Sequence, residues 1–222
     1  MIATFFPDQR FGWSFVVVLL GFLAAACYTD QLRMKIPKAI TLTALAVGLL
    51  FNIVRGIWLG AAGEAVWVCG ANGGFVGGLD GFLFSFTGLL TGFGLMLVMW
   101  IFGTCGGGDV KLLTAIGVWL GPLFALYVWM VTIPLVIVLA LFFWVRRVLK
   151  GEKPARAESP KRKQGKGAKE LAENWQPKSR LVTYSLPMAL ATAFVLLWVF
   201  RFELGMAPPR GNNEVQAHAA RK

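Results

Sequence analysis

Apolar residues run in long blocks along this chain, separated by short intervals where Gly, Pro or charge collects. The blocks fall at about 12–28, 39–59, 82–102, 110–121, 123–145 and 181–200. A run of roughly 17 to 25 apolar residues, coiled as a helix, is long enough to cross a hydrocarbon layer about 30 Å thick. Inside that layer the backbone must satisfy its own hydrogen bonds, which a helix does within one segment. The pattern predicts an all-α, polytopic membrane protein with about six transmembrane helices.

The residues between the blocks agree with these limits. Ile36-Pro37 opens the second block, and proline suits a first helical turn or the residue just before it. Residues 61–81 are rich in Gly and Ala and hold no Lys or Arg. They are expected to connect two spans on the non-cytoplasmic side, with at most a half-buried helix. The stretch from Val110 to Val145 is too long for a single span, and Gly121-Pro122 supplies a break. Leu23-Ala24-Ala25-Ala26-Cys27 looks like the end of a cleaved leader, but its basic flank follows the block and more spans come after, so a retained helix is expected. Residues 1–200 then form one membrane-embedded domain that includes a polar loop at 146–180. The polar tail 201–222 is expected to be disordered.

Composition strengthens the membrane reading: 57% of the residues are hydrophobic and only 15% charged, unlike soluble globular domains. A formal net charge of +11 would suggest nucleic acid if it lay on a folded soluble face. Instead, about half of the 22 Lys and Arg residues lie between Arg146 and Arg180, and in a membrane protein such a cluster reports orientation. Nucleic acid is therefore not an expected partner. If that loop and the one holding Arg33, Lys35 and Lys38 both face the cytoplasm, a six-span chain starts outside and puts Asp109 on the cytoplasmic side. The loop reads as a solvated, orientation-setting linker; the functional alternative is contact with anionic headgroups, each cation contributing on the order of 1 kcal/mol. Cys27, Cys69 and Cys105 form no CxxC pair, so neither a disulfide framework nor a cysteine zinc site is expected. His218, the only histidine, sits in the tail and supports no His-based catalysis. No metal and no cofactor are expected.

An ionisable group in or beside a span is costly unless it faces water or a partner, so each such acid is a candidate site. The acids at span edges are Asp30, Glu64, Asp80, Asp109 and Glu203. The expected topology puts Asp30 and Asp109 at the cytoplasmic ends of the first and fourth spans, at similar depth. Asp80 and Glu64 fall towards the opposite face, and Glu203 lies beyond the last span. Two carboxyls that share a site hold one proton between them. That state suits an aspartic peptidase, in which one carboxyl takes a proton from water while the other polarises the scissile carbonyl. Simpler roles stay open: Asp109 precedes an apolar run and could be a helix N-cap, and Asp30 could pair with Arg33 or Lys35. Gly106-Gly107-Gly108 permit positive φ and close approach of a substrate backbone, or form a plain turn. Lys111 could favour the charged form of Asp109 or snorkel to the interface.

The segment Tyr28-Thr29-Asp30-Gln31-Leu32-Arg33-Met34-Lys35-Ile36-Pro37-Lys38 resembles the first signature of type IV prepilin peptidases, an Asp followed at fixed distance by Ile-Pro-Asn, with Lys38 replacing Asn. Gly106-Gly107-Gly108-Asp109-Val110-Lys111-Leu112 resembles the second, a GxGD element followed by Lys and Leu. Residues 181–189, with Pro187, are similar to the opening of the family's last span. The resemblance implies an aspartic endopeptidase using Asp30 and Asp109, with Gly106, Gly108, Lys111, Ile36 and Pro37 shaping the strip beneath the substrate. It also implies cleavage of the cationic leader of pilin-like precursors at the cytoplasmic face of the bacterial inner membrane, with the bilayer and pilus assembly machinery as partners. Larger members carry a cysteine-rich zinc insert after the first span and methylate the new terminus with S-adenosylmethionine. Only a short loop without CxxC stands there in this chain, which resembles the short form of tight-adherence (Flp) pilus systems and implies no methyltransferase activity. The alternatives are an archaeal preflagellin-type or presenilin-like GxGD protease, a non-catalytic assembly factor recruiting a partner through 146–180, and a transporter.

Overall fold

A computed structural model of the chain describes residues 5–33, 36–69, 73–103, 105–149 and 184–206. All regular structure among them is helical: α1 (Gln9–Arg33), α2 (Lys38–Ala61), α3 (Gly74–Ile101), α4 (Gly107–Leu149) and α5 (Ser185–Val199). The first four each contain a stretch long and apolar enough to cross a bilayer. The 15 residues of α5 reach about 22 Å. The chain is an all-helical, multi-pass membrane protein. The count of six spans is approximate, because the blocks at 110–121 and 123–145 merge into α4, which breaks at Gly121 (φ 78°, ψ 179°) and resumes at Pro122. Arg146 and the residues to Leu149 extend α4; the rest of the basic loop and the tail from 207 on, with His218, lie outside the described residues. The first tail residues, 201–206, are ordered turns, against the expected disorder, because Leu204 is buried and Glu203 bonds the chain start.

The third helix opens at Gly74, inside the stretch 61–81 that reads from sequence as a connection. Glycine costs about 1 kcal/mol relative to alanine in a helix interior, so propensity alone argues against a helix here. Packing overrides it. Gly77 and Gly81 lie so close to α2 that a Cβ on either would collide with backbone, that of Gly56 and of Asn52 respectively. The interface between α3 and α4 repeats the device, with Gly88 against Gly117 and Gly92 against the Leu113 carbonyl. Lipid tails are as apolar as leucine, so helices in a bilayer gain little from burying large apolar side chains and associate through close backbone contact instead. Large apolar residues such as Leu50, Phe86, Leu90, Val98 and Phe194 accordingly point outward. Gly81→Ala and Gly88→Ala should each destabilise by about 1–3 kcal/mol, because the added methyl meets backbone that cannot rotate away. Gly94→Ala, where a Cβ meets nothing within 4 Å, should leave the detergent melting temperature unchanged or slightly raised.

The break in α4 is stapled to α2 by polar atoms. Pro122 has no N–H to offer the Val118 carbonyl, and Asn52 takes over: its Nδ2 donates to the carbonyls of Val118 (2.8 Å) and Trp119 (3.0 Å). Trp119 is fully buried, packs edge-on against Phe15 at 4.9 Å between ring centroids, and donates its Nε1–H to the Ala44 carbonyl at 2.8 Å. These contacts hold the first half of α4, and so Asp109 at its start, against α1 and α2.

The first and last helices run antiparallel, with Ser185 beside Asp30 at one end and Glu203 beside the residues before α1 at the other. At that second end the fully buried Arg55 lies between two rings, its guanidinium 4.0 Å from the Phe5 centroid and 4.5 Å from that of Phe84. The charges of Asp80 and Glu203 both act on it. Asp80 in turn accepts the backbone N–H groups of Trp67 (2.7 Å), Val68 (3.0 Å) and Cys69 (3.3 Å). Glu203 accepts those of Phe5 (3.1 Å) and Phe6 (2.9 Å). Two of the acids that sequence sets apart from Asp30 and Asp109 thus sit at this end, where their charges act on one arginine and their hydrogen bonds tie the chain start and the loop after α2 to the bundle.

Candidate active site

Asp30 lies near the C-terminal end of α1 and Asp109 in the first turn of α4. Both are buried, at 8% and 4% exposure, which removes them from the class of solvated rim charges. The chain reaches Asp109 through a tight exit from α3: Gly103, at φ 70°, donates its N–H to the Trp100 carbonyl at 2.9 Å. This left-handed position favours glycine because it lacks a Cβ.

From there the local geometry departs from an N-cap. Gly106 precedes the helix, Asp109 is its third residue, and the Asp109 Oδ2 reaches back to accept the Gly106 N–H at 2.9 Å. This is the acidic half of a capping box, so Asp109 caps from within the first turn and not from the residue before it. Nor do Gly106, Gly107 and Gly108 take positive φ; the left-handed glycine is Gly103. What these glycines provide is bareness. A Cβ on Gly107 would meet nothing within 4 Å, and one on Gly108 only the Ile36 side chain at 3.6 Å, so the helix start beside Asp109 presents backbone.

Asp30 accepts a hydrogen bond from the Ser185 Oγ at 2.6 Å. The side chain of Arg33 and all of Lys35, its expected ion-pair partners, lie outside the described residues. Cys27, one turn earlier on the same face of α1, donates its thiol to the Ser185 carbonyl at 3.3 Å. Tyr184 precedes Ser185, and its phenol is pushed up by burial first and then by the charges of Cys105 and Asp109; it therefore stays protonated at neutral pH. Ser185 thus bonds Asp30, while the charge of Asp109 acts on the residue just before it. The helix order puts the end of α1 and the start of α4 at one end of the bundle, where Ile36, just after α1, lies beside Gly108.

Beside them an apolar cleft opens between α1, α2 and α4, lined by Ala26, Ile36, Ile40, Thr41, Lys111 and Leu112 among others. Pro37, the residue that precedes α2, is not in the lining, but the buried Ile36 forms part of one wall. The half-buried Lys111 forms part of another. Among the described residues no group of three His, Cys, Asp or Glu side chains stands together as a metal site.

The model of the type IV leader peptidase family matches residues 17–145 of the 222. The chain belongs to the type IV leader peptidase family. The match runs from within α1 through Asp30 and Asp109 and past the break in α4, whereas Tyr184 and Ser185 lie beyond it. Comparison with curated proteins and with solved structures gave no match. Membership of this family makes the protein a leader-peptidase-like protease of the membrane. Sequence reasoning centred on acids overlooked Ser185, Tyr184 and Arg55. Arg55 had a visible signal, as the only charged residue between Ala39 and Leu59. Ser185 had only its place at the head of an apolar run.

Proposed function

We propose that the protein is an aspartic endopeptidase in which Asp30 and Asp109 together activate water against a peptide bond of a prepilin-like precursor. What supports this reading is that two buried carboxyls, Asp30 and Asp109, lie at helix ends on the same side of the bundle, with the bare glycine start of α4 beside Asp109. Two acids so placed can share one proton and divide acid and base work between them. The glycine strip lets an extended backbone come close.

Both acids sit at helix ends, which suits a junction where a cationic leader gives way to an apolar segment. Arg33 closes α1, Lys35 follows it and Lys38 opens α2, so by the positive-inside rule we read this end as facing the cytoplasm of a bacterial inner membrane. The short connection between α1 and α2 supports the short form of the family, which cleaves without methylating.

The test is a reaction of the purified protein, in detergent or liposomes, with a synthetic precursor containing a basic leader and an apolar helix. Mass analysis should show one cut just before the apolar helix, and a mature N-terminus of unmodified mass even when S-adenosylmethionine is added. An intact precursor would overturn the substrate assignment, and a methylated product would overturn the short-form assignment.

A further inference from the structure

The two carboxyls have opposite electrostatic surroundings. Asp109 is in the first turn of α4, where unpaired N–H groups and the helix dipole favour negative charge, and the Gly106 N–H already points at its Oδ2. Asp30 is near the C-terminal end of α1, where carbonyl oxygens oppose negative charge. The two acids are also held by different means, Asp109 by the backbone of its own helix start and Asp30 by a side chain from another helix.

Ser185 fixes one oxygen of Asp30. Its hydroxyl is fully buried and donates to Oδ2 at 2.6 Å, and its own backbone is held by the Cys27 thiol on the same helix as Asp30. With Oδ2 engaged from α5, the plane of the carboxyl is set and Oδ1 is the oxygen left to face the reacting groups. We propose that Ser185 is a positioning residue of the peptidase: it orients Asp30 so that Oδ1 is the atom that transfers the proton.

The inference rests on the aspartic reading above and adds the group that orients one of the acids. In the forward step a water oxygen bonds to the scissile carbonyl carbon, the ionised member of the pair takes the water proton, and the proton of the other member passes to the carbonyl oxygen; in either part, Asp30 acts through Oδ1. In the second step the C–N bond breaks, and the acid that took the water proton returns it to the leaving nitrogen. One hydroxyl of the intermediate gives its proton back to the other acid as the new carboxyl group forms. Both acids finish as they began.

The test measures kcat and KM of the full chain in detergent with the precursor peptide, for wild type and for Ser185→Ala, Ser185→Cys, Ser185→Thr and Asp109→Asn, alongside melting temperatures. Loss of one hydrogen bond to a reacting carboxyl should lower kcat about ten- to hundredfold in Ser185→Ala, with KM nearly unchanged and the melting point retained. Ser185→Cys, similar in volume but a weak donor, should fall between, and Ser185→Thr, which keeps the hydroxyl, should recover most of kcat. Wild-type kcat in Ser185→Ala overturns the assignment. So does a loss in all three Ser185 variants that only follows their melting temperatures. If wild type cleaves, Asp109→Asn does not, and Ser185→Ala is unaffected, the role of Ser185 alone is wrong. Equal cleavage by wild type and Asp109→Asn removes the aspartic reading itself, and this inference with it.

Discussion

Asp109→Asn and Asp30→Asn are each expected to lower turnover by about two to four powers of ten while leaving the helical bundle assembled. Asparagine has nearly the shape of aspartate and keeps a carbonyl oxygen. At position 109 that oxygen can still accept the Gly106 N–H, and at position 30 it can still accept the Ser185 hydroxyl. The capping interaction that starts α4 and the contact that ties α1 to α5 therefore both survive. What is lost is the capacity to gain or release a proton, which no neighbouring group on the same helix ends replaces. Because the two acids work as one unit, the double variant should be no slower than the worse single one. Turnover of a precursor peptide, read beside a melting curve, checks this. Normal processing by either single variant would remove the aspartic mechanism.

At the other end of the bundle, Arg55→Leu should cost more stability than any of the glycine or active-site substitutions, about 3–5 kcal/mol. The substitution removes a guanidinium held between the Phe5 and Phe84 rings. It leaves Asp80, which has no exposed surface, as a buried charge compensated only by backbone N–H groups. Glu203, which holds the residues before α1, loses the same counter-charge. Arg55→Lys should recover part of the loss, since an ammonium keeps the charge but not the planar stacking. Pairing Arg55→Leu with Asp80→Asn should cost less than the sum of the two single changes, because the buried carboxylate is then absent too. Thermal unfolding in detergent gives the order, and an unaltered melting temperature for Arg55→Leu would show that the cluster contributes nothing. The folded fraction of these variants should retain wild-type kcat, because Asp30 and Asp109 lie at the opposite end.

Much of the architecture was legible from composition and block length, and the reasons are local. Apolar runs followed by basic flanks specify helices in a membrane because the lipid leaves backbone polar groups no other partner. The limits of the third helix were not legible: Gly74 to Gly81 looks like a connection by propensity, and it becomes helix only because its glycines let α2 approach backbone to backbone. The break at Gly121-Pro122 was visible in sequence, whereas its repair by Asn52 was not. That bond joins residues 66 positions apart, and nothing in the periodicity of α2 announces it.

The sequence by itself determined the membrane-spanning helical class, the family signatures around Asp30 and Asp109, and the candidacy of that pair, since each of these depends on residue type at short spacing. Only the tertiary structure decided that Asp109 caps from the third helical position and that Ser185, 155 positions from Asp30, is the group bonded to it. It alone also showed that Arg55 lies between the Phe5 and Phe84 rings at the far end, where the charges of Asp80 and Glu203 act on it. These are contacts between side chains on different helices, and their partners are set by how closely the glycine-lined faces allow the helices to pack.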